Sequence, residues 1–219
     1  MSTDTGHNST SGDLTWALNA PEKQTDWGWR SIHGSTALGK FLTAAYYGNA
    51  VQYSYYSGCS TGGRQGLKEI QISPESFDGV LIGSAAWNTD SLNNYVTQVG
   101  IYDLPTGAPN FVNASWFPII GDEVIRQCDG ADGVLDGIVS APHLCNFDLS
   151  PFQCDSSTQD SSTCLTAVQI QTIKNIYADW RTESGEFLNN GYALSSEDMW
   201  HDYNLIGWPE PTYFGVGYQ

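Results

Sequence analysis

The most constraining feature of this sequence is a glycine-flanked serine, Ser60, in the stretch Gly58-Cys59-Ser60-Thr61-Gly62. The stretch matches the G-x-S-x-G pattern, in which a serine sits on a sharp turn between a strand and a helix. A β-branched and aromatic run, 51–56, precedes it, and a run suited to a helix, 64–72, follows it. Pattern and flanks together predict a strand-turn-helix unit of an α/β fold, with Ser60 as a candidate nucleophile. The flanks disfavour the alternative, a chance glycine-rich loop.

Further elements follow from the spacing of apolar residues and from turn residues. Apolar residues at helical spacing predict a helix over 31–47, with Gly48 as its stop. The helix after Ser60 is expected to end before Ser73-Pro74, because the residue before a proline disfavours helix. A second apolar strand is predicted over 77–83, so that strand, helix and strand form one parallel βαβ unit.

The character of the sequence changes after Trp87, where loops, cysteines and Asp-Gly pairs become frequent. Within this second part, Thr166 and Gln169 form a capping box that predicts the start of a helix. An apolar stripe at helical spacing follows the box: Ile170, Ile173, Ile176, Tyr177 and Trp180. We therefore predict a boundary near Trp87, with a hydrolase-type core over 1–87 and a different kind of unit over 88–219.

Charge and cysteine content restrict partners and compartment. The formal net charge of −16 argues against nucleic acid and anionic membrane as partners. No apolar run reaches the length needed to cross a membrane, and the N-terminus lacks signal-peptide character. Four cysteines without a C-x-x-C spacing favour disulfides over zinc, and they allow three pairings: Cys128, Cys145, Cys154 and Cys164. With sequons at Asn8 and Asn113, the sequence predicts a secreted, glycosylated protein whose leader is absent here.

An acidic, glycine-rich loop is the second candidate site. Asp129, Asp132 and Asp136 alternate with glycines within a few residues. Glycine permits the tight curvature that gathers carboxylates and main-chain carbonyls, and Ca²⁺ takes six to eight such oxygens. The spacing differs from that of an EF-hand. A run of Asp-Gly turns without a metal is the alternative that the pattern leaves open.

Two segments carry a resemblance to a known family. C-S-T-G-G-R-Q-G-L-K-E, from Cys59, and F-D-G-V-L-I-G-S-A-A-W, over 77–87, resemble the fungal tannase and feruloyl esterase family. The resemblance covers essentially the whole chain. It implies a secreted α/β-hydrolase that cleaves phenolic-acid esters beneath a large lid. The chain is then expected to hold a partial α/β-hydrolase core, 1–87, followed by part of a lid domain, 88–219, as a fragment of a longer protein.

The resemblance assigns roles around the serine. Ser60 is expected to form an acyl-enzyme, and the backbone N–H of Thr61 is expected to contribute to the oxyanion hole. The catalytic acid and histidine are expected beyond Gln219. Neither His143 nor His201, the two histidines downstream of Ser60, is expected to be catalytic.

Cys59 and the N-terminal segment also take roles from the resemblance. In the family, the cysteine before the serine pairs with one after the catalytic histidine. That partner is missing here, so Cys59 is expected to be a free thiol. Asp4, Gly6 and His7 match a family motif near the core, where packing and turn formation are the roles we favour.

The resemblance also implies a structural calcium ion in the acidic loop. Its ligands would be side-chain oxygens of Asp129, Asp132 and Asp136 and main-chain carbonyls of Val134 and Ile138. It favours disulfides that join Cys128 to Cys145 and Cys154 to Cys164.

The expected substrate is a feruloylated plant polysaccharide or a related phenolic ester, with a galloyl ester as the alternative. Two other hypotheses are an inactive calcium-binding fragment and, last, a lectin-like binding module. The oligomeric state is not predicted.

Overall fold

The computed structural model describes residues 3–9, 13, 15–155, 163–202 and 206. The chain divides into two compact units, residues 1–89 and 90–219. The division lies close to Trp87, where the sequence changes character. That the second unit belongs to a lid stays a prediction.

A long helical stretch opens the first unit. It consists of α1 (Pro21–Thr25), a π-helical turn (Asp26–Arg30) and α2 (Ser31–Tyr47). The bounds of α2 confirm the predicted helix, and it ends at Gly48, whose φ of 72° is a left-handed conformation that glycine adopts without strain. The apolar spacing does not predict the helical residues before Ser31.

The predicted parallel βαβ unit is confirmed. It comprises β1 (Tyr55–Cys59), α3 (Thr61–Ile72) and β2 (Gly79–Gly83), and the two strands pair in parallel. The first strand prediction, 51–56, is displaced towards the N-terminus, and the second, 77–83, begins two residues before β2 and ends with it. Composition does not show where pairing begins. At the start of the sheet the Asp78 carboxylate accepts the Ser54 N–H at 2.7 Å, and the ladder starts one residue later.

The described residues of the first unit bury no apolar side chain. The buried positions there are small or polar: Gly63, Gly66, Glu69, Ser73 and Ser76. Large side chains of α2 and of the sheet region are exposed, among them Phe41, Tyr46, Tyr53, Tyr55 and Leu81. The packing of this unit therefore depends on close backbone contacts and polar side chains.

The second unit is mainly helical. It contains α4 (Thr89–Tyr102), α5 (Trp116–Cys128), α6 (Ala167–Tyr177) and α7 (Met199–Asp202), with a short antiparallel pair, β3 (Trp180–Arg181) and β4 (Phe187–Asn189). Its apolar core includes Val99, Phe117, Ile120, Val124, Ile173, Ile176 and Trp200. None of the helices in the described part of the chain is long and apolar enough to cross a membrane.

The sequence predictions for this unit were right in part. The capping box is confirmed: Gln169 N donates to Thr166 Oγ1 at 3.3 Å, and Thr166 N donates to Gln169 Oε1 at 2.9 Å. The loops predicted after Trp87 are wrong where α4 and α5 form. Trp180 lies in β3 and not on the helical stripe, because the extended backbone of Ala178 ends α6.

Both predicted disulfides are present. One joins Cys128 to Cys145, and the other joins Cys154 to Cys164. The first fixes the C-terminal end of α5 to the segment after the acidic loop. These bonds confirm the pairing that the family resemblance favours.

Candidate active site

Ser60 lies between β1 and α3 in a strained backbone conformation. Its φ is 56° and its ψ is −119°, in a region that non-glycine residues avoid at a cost of about 1–3 kcal/mol. Three hydrogen bonds of 3.1 Å hold it there: Ser60 N donates to Gly83 O, and Ser60 O accepts from Arg64 N and Ala86 N. The side chain is exposed and makes no capping bond to α3. The hydroxyl is therefore presented outward on a turn fixed through its main chain.

Two glycines permit this turn. A Cβ at Gly58 would lie 2.6 Å from Gly62 O, and one at Gly63 would lie 2.8 Å from Gly83 O. Both neighbours are backbone atoms, which cannot move aside as a flexible side chain can. The close approach of strand, turn and helix thus requires glycine at both positions.

Thr61 is the first residue of α3. The first N–H groups of a helix have no intrahelical acceptor, and the helix dipole places partial positive charge at this end. The Thr61 N–H is therefore suited to an oxyanion next to Ser60, and its oxyanion role stays a prediction.

Cys59 is exposed and carries a free thiol. It is the last residue of β1 and lies opposite Gly83 of β2. The pairing of this cysteine with a distant partner in the family stays a prediction. His143 lies in the short 3₁₀ turn Pro142–Leu144, and His201 lies in α7.

The sequence does not predict that α3 carries a buried carboxylate. Glu69 is only 1% exposed, and its Oε1 atom accepts from His33 Nδ1 at 2.9 Å and from Ser76 Oγ at 2.7 Å. These bonds connect α3 to α2 and to the turn after α3. The sequence offers no signal for this role, since a glutamate on a helix is more often solvated.

The acidic loop brings two of its three aspartates together. Asp129 Oδ1 accepts from the N–H groups of Asp136, Gly137 and Ile138 at 3.2, 2.9 and 3.2 Å, and Asp136 Oδ1 accepts from Ile138 N at 3.1 Å. Asp132 instead accepts from Val134 N at 2.9 Å.

The described residues contain no group of three His, Cys, Asp or Glu side chains arranged for a metal. The side-chain donors of the loop are carboxylate oxygens, the type of atom that Ca²⁺ binds. The calcium ion stays a prediction.

Both sequon asparagines are exposed. Asn113 Oδ1 accepts from Ser115 N at 2.9 Å, which holds the sequon in a turn. Thr10 of the first sequon lies outside the described residues. Glycosylation at Asn8 and Asn113 stays a prediction.

The chain is similar to known proteins over its full length. Residues 1–210 match the family model described as tannase and feruloyl esterase. The chain is 36% identical over 222 residues to "Probable feruloyl esterase B-1" of Aspergillus fumigatus and 34% identical over 223 residues to "Feruloyl esterase B" of Aspergillus niger. Each match covers 100% of this chain and 42% of the relative. The chain therefore spans about two fifths of the length of these relatives.

Solved structures give the same result. An esterase from Aspergillus oryzae matches with a TM-score of 0.87 and 33% identity, over 98% of this chain and 42% of that one. Feruloyl esterase B from Aspergillus oryzae matches with a TM-score of 0.85 and 31% identity, over 96% of this chain and 41% of that one.

A tannin acyl hydrolase from Aspergillus niger, at 24% identity and a TM-score of 0.66, shares the fold, over 80% of this chain and 33% of that one. These neighbours agree with an α/β fold of mixed helices and strands. The strained serine turn, the sequence identity over the full chain and the matched family model lead to one conclusion: this chain belongs to the tannase and feruloyl esterase family.

Proposed function

We propose that this chain supplies the nucleophile of a secreted serine carboxylic ester hydrolase that cleaves feruloyl esters of plant cell-wall polysaccharide. The observation that carries the proposal is the strained conformation of Ser60 at the junction of β1 and α3. Strained backbone conformations that the surrounding structure holds in place cluster at functional sites. The relatives named as feruloyl esterases favour hydroxycinnamoyl esters as the substrate class.

The proposed reaction proceeds through an acyl-enzyme. Ser60 Oγ attacks the ester carbonyl carbon, and the resulting oxyanion accepts the N–H of Thr61. Collapse of the tetrahedral intermediate releases the alcohol, and water then releases the phenolic acid. A histidine must take the serine proton, and the proposal assigns this base and its carboxylate to residues beyond Gln219.

The test is hydrolysis of methyl ferulate and methyl gallate by the gene product expressed from its complete transcript. Ser60→Ala should lower kcat/KM for the preferred ester by about 10⁴-fold or more, as expected when a covalent nucleophile is removed. A Ser60→Ala protein within tenfold of the wild type would refute the nucleophile. Preference for methyl gallate would shift the assignment to the alternative, a tannase. Hydrolysis of neither ester would favour the alternative of an inactive calcium-binding fragment.

The acidic loop is proposed to bind a structural Ca²⁺. Asp129 and Asp136, which converge on the Ile138 N–H, would supply carboxylate oxygens, with Asp132 and the carbonyls of Val134 and Ile138 completing the set. A ligand that binds only the folded state raises its stability, by about 2.7 kcal/mol at 100 times Kd. CaCl₂ should therefore raise the Tm of the wild type but not that of Asp136→Asn. An equal rise in both proteins would exclude this loop.

Secretion and glycosylation are proposed on the two disulfides and the exposed sequons. Protein recovered from the medium of a fungal host should lose mass on treatment with an N-glycosidase. Asn113→Gln should remove part of that loss. Unchanged mass in the wild type would exclude N-glycans.

A further inference from the structure

A π-helical turn separates α1 from α2. Within Asp26–Arg30 the helix widens, and the Ser31 N–H closes the turn on Asp26 O. A π turn is rare and is frequently found at functional sites. Here two main-chain carbonyls of the turn face a single cation: Arg64 Nη2 donates to Trp27 O at 3.5 Å, and Arg64 Nη1 donates to Gly28 O at 3.4 Å.

The aromatic ring of the same turn also contacts Arg64. We call the Trp27 ring, together with the carbonyls of Trp27 and Gly28, the seat of Arg64. The guanidinium carbon of Arg64 lies 3.9 Å from the centre of the Trp27 ring, well within the range of a cation–π contact. Arg64 is half-buried, and burial lowers the pKa of its guanidinium. Across the described residues no carboxylate forms an ion pair with it. The ring and the carbonyls are thus what compensates this charge.

The main chain of Arg64 is also hydrogen-bonded to the main chain of Ser60. Its backbone N–H donates to Ser60 O at 3.1 Å, one of the three bonds that hold the serine in its strained conformation. The residue whose side chain contacts the π turn is therefore also the one whose main chain closes the first turn of α3 on Ser60.

The seat extends to the N-terminal segment through stacked rings. Trp27 lies 6.2 Å from Trp16, and Trp16 stacks on His7 at 4.0 Å with 8° between the planes. Gly6, with a φ of 87°, packs so closely that a Cβ there would lie 2.6 Å from Asp26 Cβ. The N-terminal turn thus packs against the π turn, which agrees with the packing role favoured for His7 and Gly6.

We propose that Arg64 is a positioning residue for Ser60, acting through its seat on the Trp27 ring and the carbonyls of the π turn. The catalytic part of this role rests on the proposed function, in which Ser60 is the nucleophile. The planar guanidinium fork is required, because it can stack on the ring and donate to two carbonyls together, whereas a lysine ammonium cannot.

Two measurements on Arg64→Lys test this role. In the 219-residue chain, the exposed Cys59 thiol beside Ser60 reports the state of the turn. Lysine keeps the positive charge, so a change in thiol reactivity reflects geometry. Because this thiol is already exposed, its rate of labelling by a disulfide reagent depends on its immediate surroundings, and we expect that rate to change by about fivefold or more when the first turn of α3 shifts. In the complete gene product, kcat should fall by about 10²-fold with KM within about twofold, since small displacements of a nucleophile cost that much.

Arg181→Lys is the matched control, because Arg181 also lies over an aromatic ring, Phe187, but in the second unit. It should leave both readouts unchanged. If Arg64→Lys does not fold by circular dichroism, Trp27→Phe replaces it, since the smaller ring weakens the seat and retains the arginine. Its effects should have the same direction. Labelling and kcat within about 1.5-fold of the wild type in either folded variant would overturn the proposal. An inactive wild-type gene product would refute the proposed function alone, because the labelling comparison does not depend on hydrolysis.

Discussion

Ser60 combines an exposed hydroxyl with a main chain that is fully engaged. Its N–H and C=O take part in three hydrogen bonds, to β2, to α3 and to the segment after β2. The strain at a positive φ is thus stabilised by α3 and by β2 with the segment that follows it. Any substitution that alters the spacing between β2 and α3 should therefore affect the backbone conformation of Ser60.

Gly63→Ala should show this dependence. The added Cβ would lie 2.8 Å from Gly83 O and 2.9 Å from Ala85 Cα, so α3 must move away from β2. We expect a loss of about 1–3 kcal/mol in the free energy of unfolding, measured with urea. Gly62→Ala is the matched control, since its nearest neighbour is Tyr56 Oη at 3.7 Å. Alanine there should be neutral or stabilise by up to about 1 kcal/mol. Equal losses in the two variants would contradict the spacing argument.

At the level of residues, the sequence predicts those whose role depends on local pattern. Ser60 and the glycines around it follow from the G-x-S-x-G pattern, because a sharp turn needs small neighbours. Arg64 stands two residues after this pattern, and its partner Trp27 lies far away along the chain. Contacts at that separation are decided by packing, which a single sequence does not display.

Among the elements, α6 is anchored at its C-terminal end by a buried acid. Tyr177 Oη donates to Glu197 Oε1 at 2.6 Å, and Ser195 N donates to the same atom at 3.1 Å. Glu197 is 1% exposed, and this burial raises the pKa of its carboxyl above the ordinary value of 4.5. The folded protein therefore binds this proton more tightly than the unfolded chain does.

Glu197→Gln should change how stability depends on pH. Because the folded pKa is raised, the contribution of the carboxyl is complete below about pH 4.5 and is lost as the pH rises through the folded pKa. The free energy of unfolding of the wild type should fall relative to that of Glu197→Gln, by at most about 1.4 kcal/mol per pH unit in that window. Urea unfolding of both proteins from pH 5 to pH 8, above the isoelectric point, measures the difference. Parallel curves would show that Glu197 does not titrate differently in the fold.

Local signals also decide which elements the sequence predicts. α2 and α6 follow from apolar spacing with a glycine stop or a capping box, both of which act within a few residues. α5 has such a stripe, Trp116, Ile120 and Val124, but neighbouring sequon and cysteine residues favoured a loop interpretation. β1 starts at Tyr55 because its partner strand starts at Gly79. The amino-acid composition of a strand does not show with which residues it pairs.

At the scale of the whole molecule, the two units differ in how they are stabilised. The second has a buried apolar core and two disulfides, whereas the described residues of the first bury no apolar side chain. Hydrogen exchange should reflect this contrast, because protection follows local burial. Amides of α5 and α6 should exchange about tenfold or more slowly than those of α2. Equal protection in α2 and α5 would contradict the expectation.

Removal of the disulfides should destabilise the second unit. The Cys128–Cys145 bond closes a separation of 17 residues, which corresponds to about 3 kcal/mol. Replacement of both cysteines by alanine should lower the free energy of unfolding by that amount, as measured with urea. The comparison pair, Cys154 and Cys164, closes a separation of 10 residues and should cost about 0.5 kcal/mol less. A larger loss for the shorter loop would indicate that strain or packing governs instead.

The exposed aromatic and aliphatic side chains of the first unit also determine how the protein behaves as a colloid. With a formal charge of −16 at pH 7, neighbouring molecules repel one another before such patches can meet. Towards the isoelectric point near pH 4.2 this repulsion vanishes, and the protein should flocculate. High salt shortens the range of the repulsion and should have a similar effect at neutral pH. Anion exchange in dilute neutral buffer is therefore the gentlest route to a concentrated, monodisperse sample.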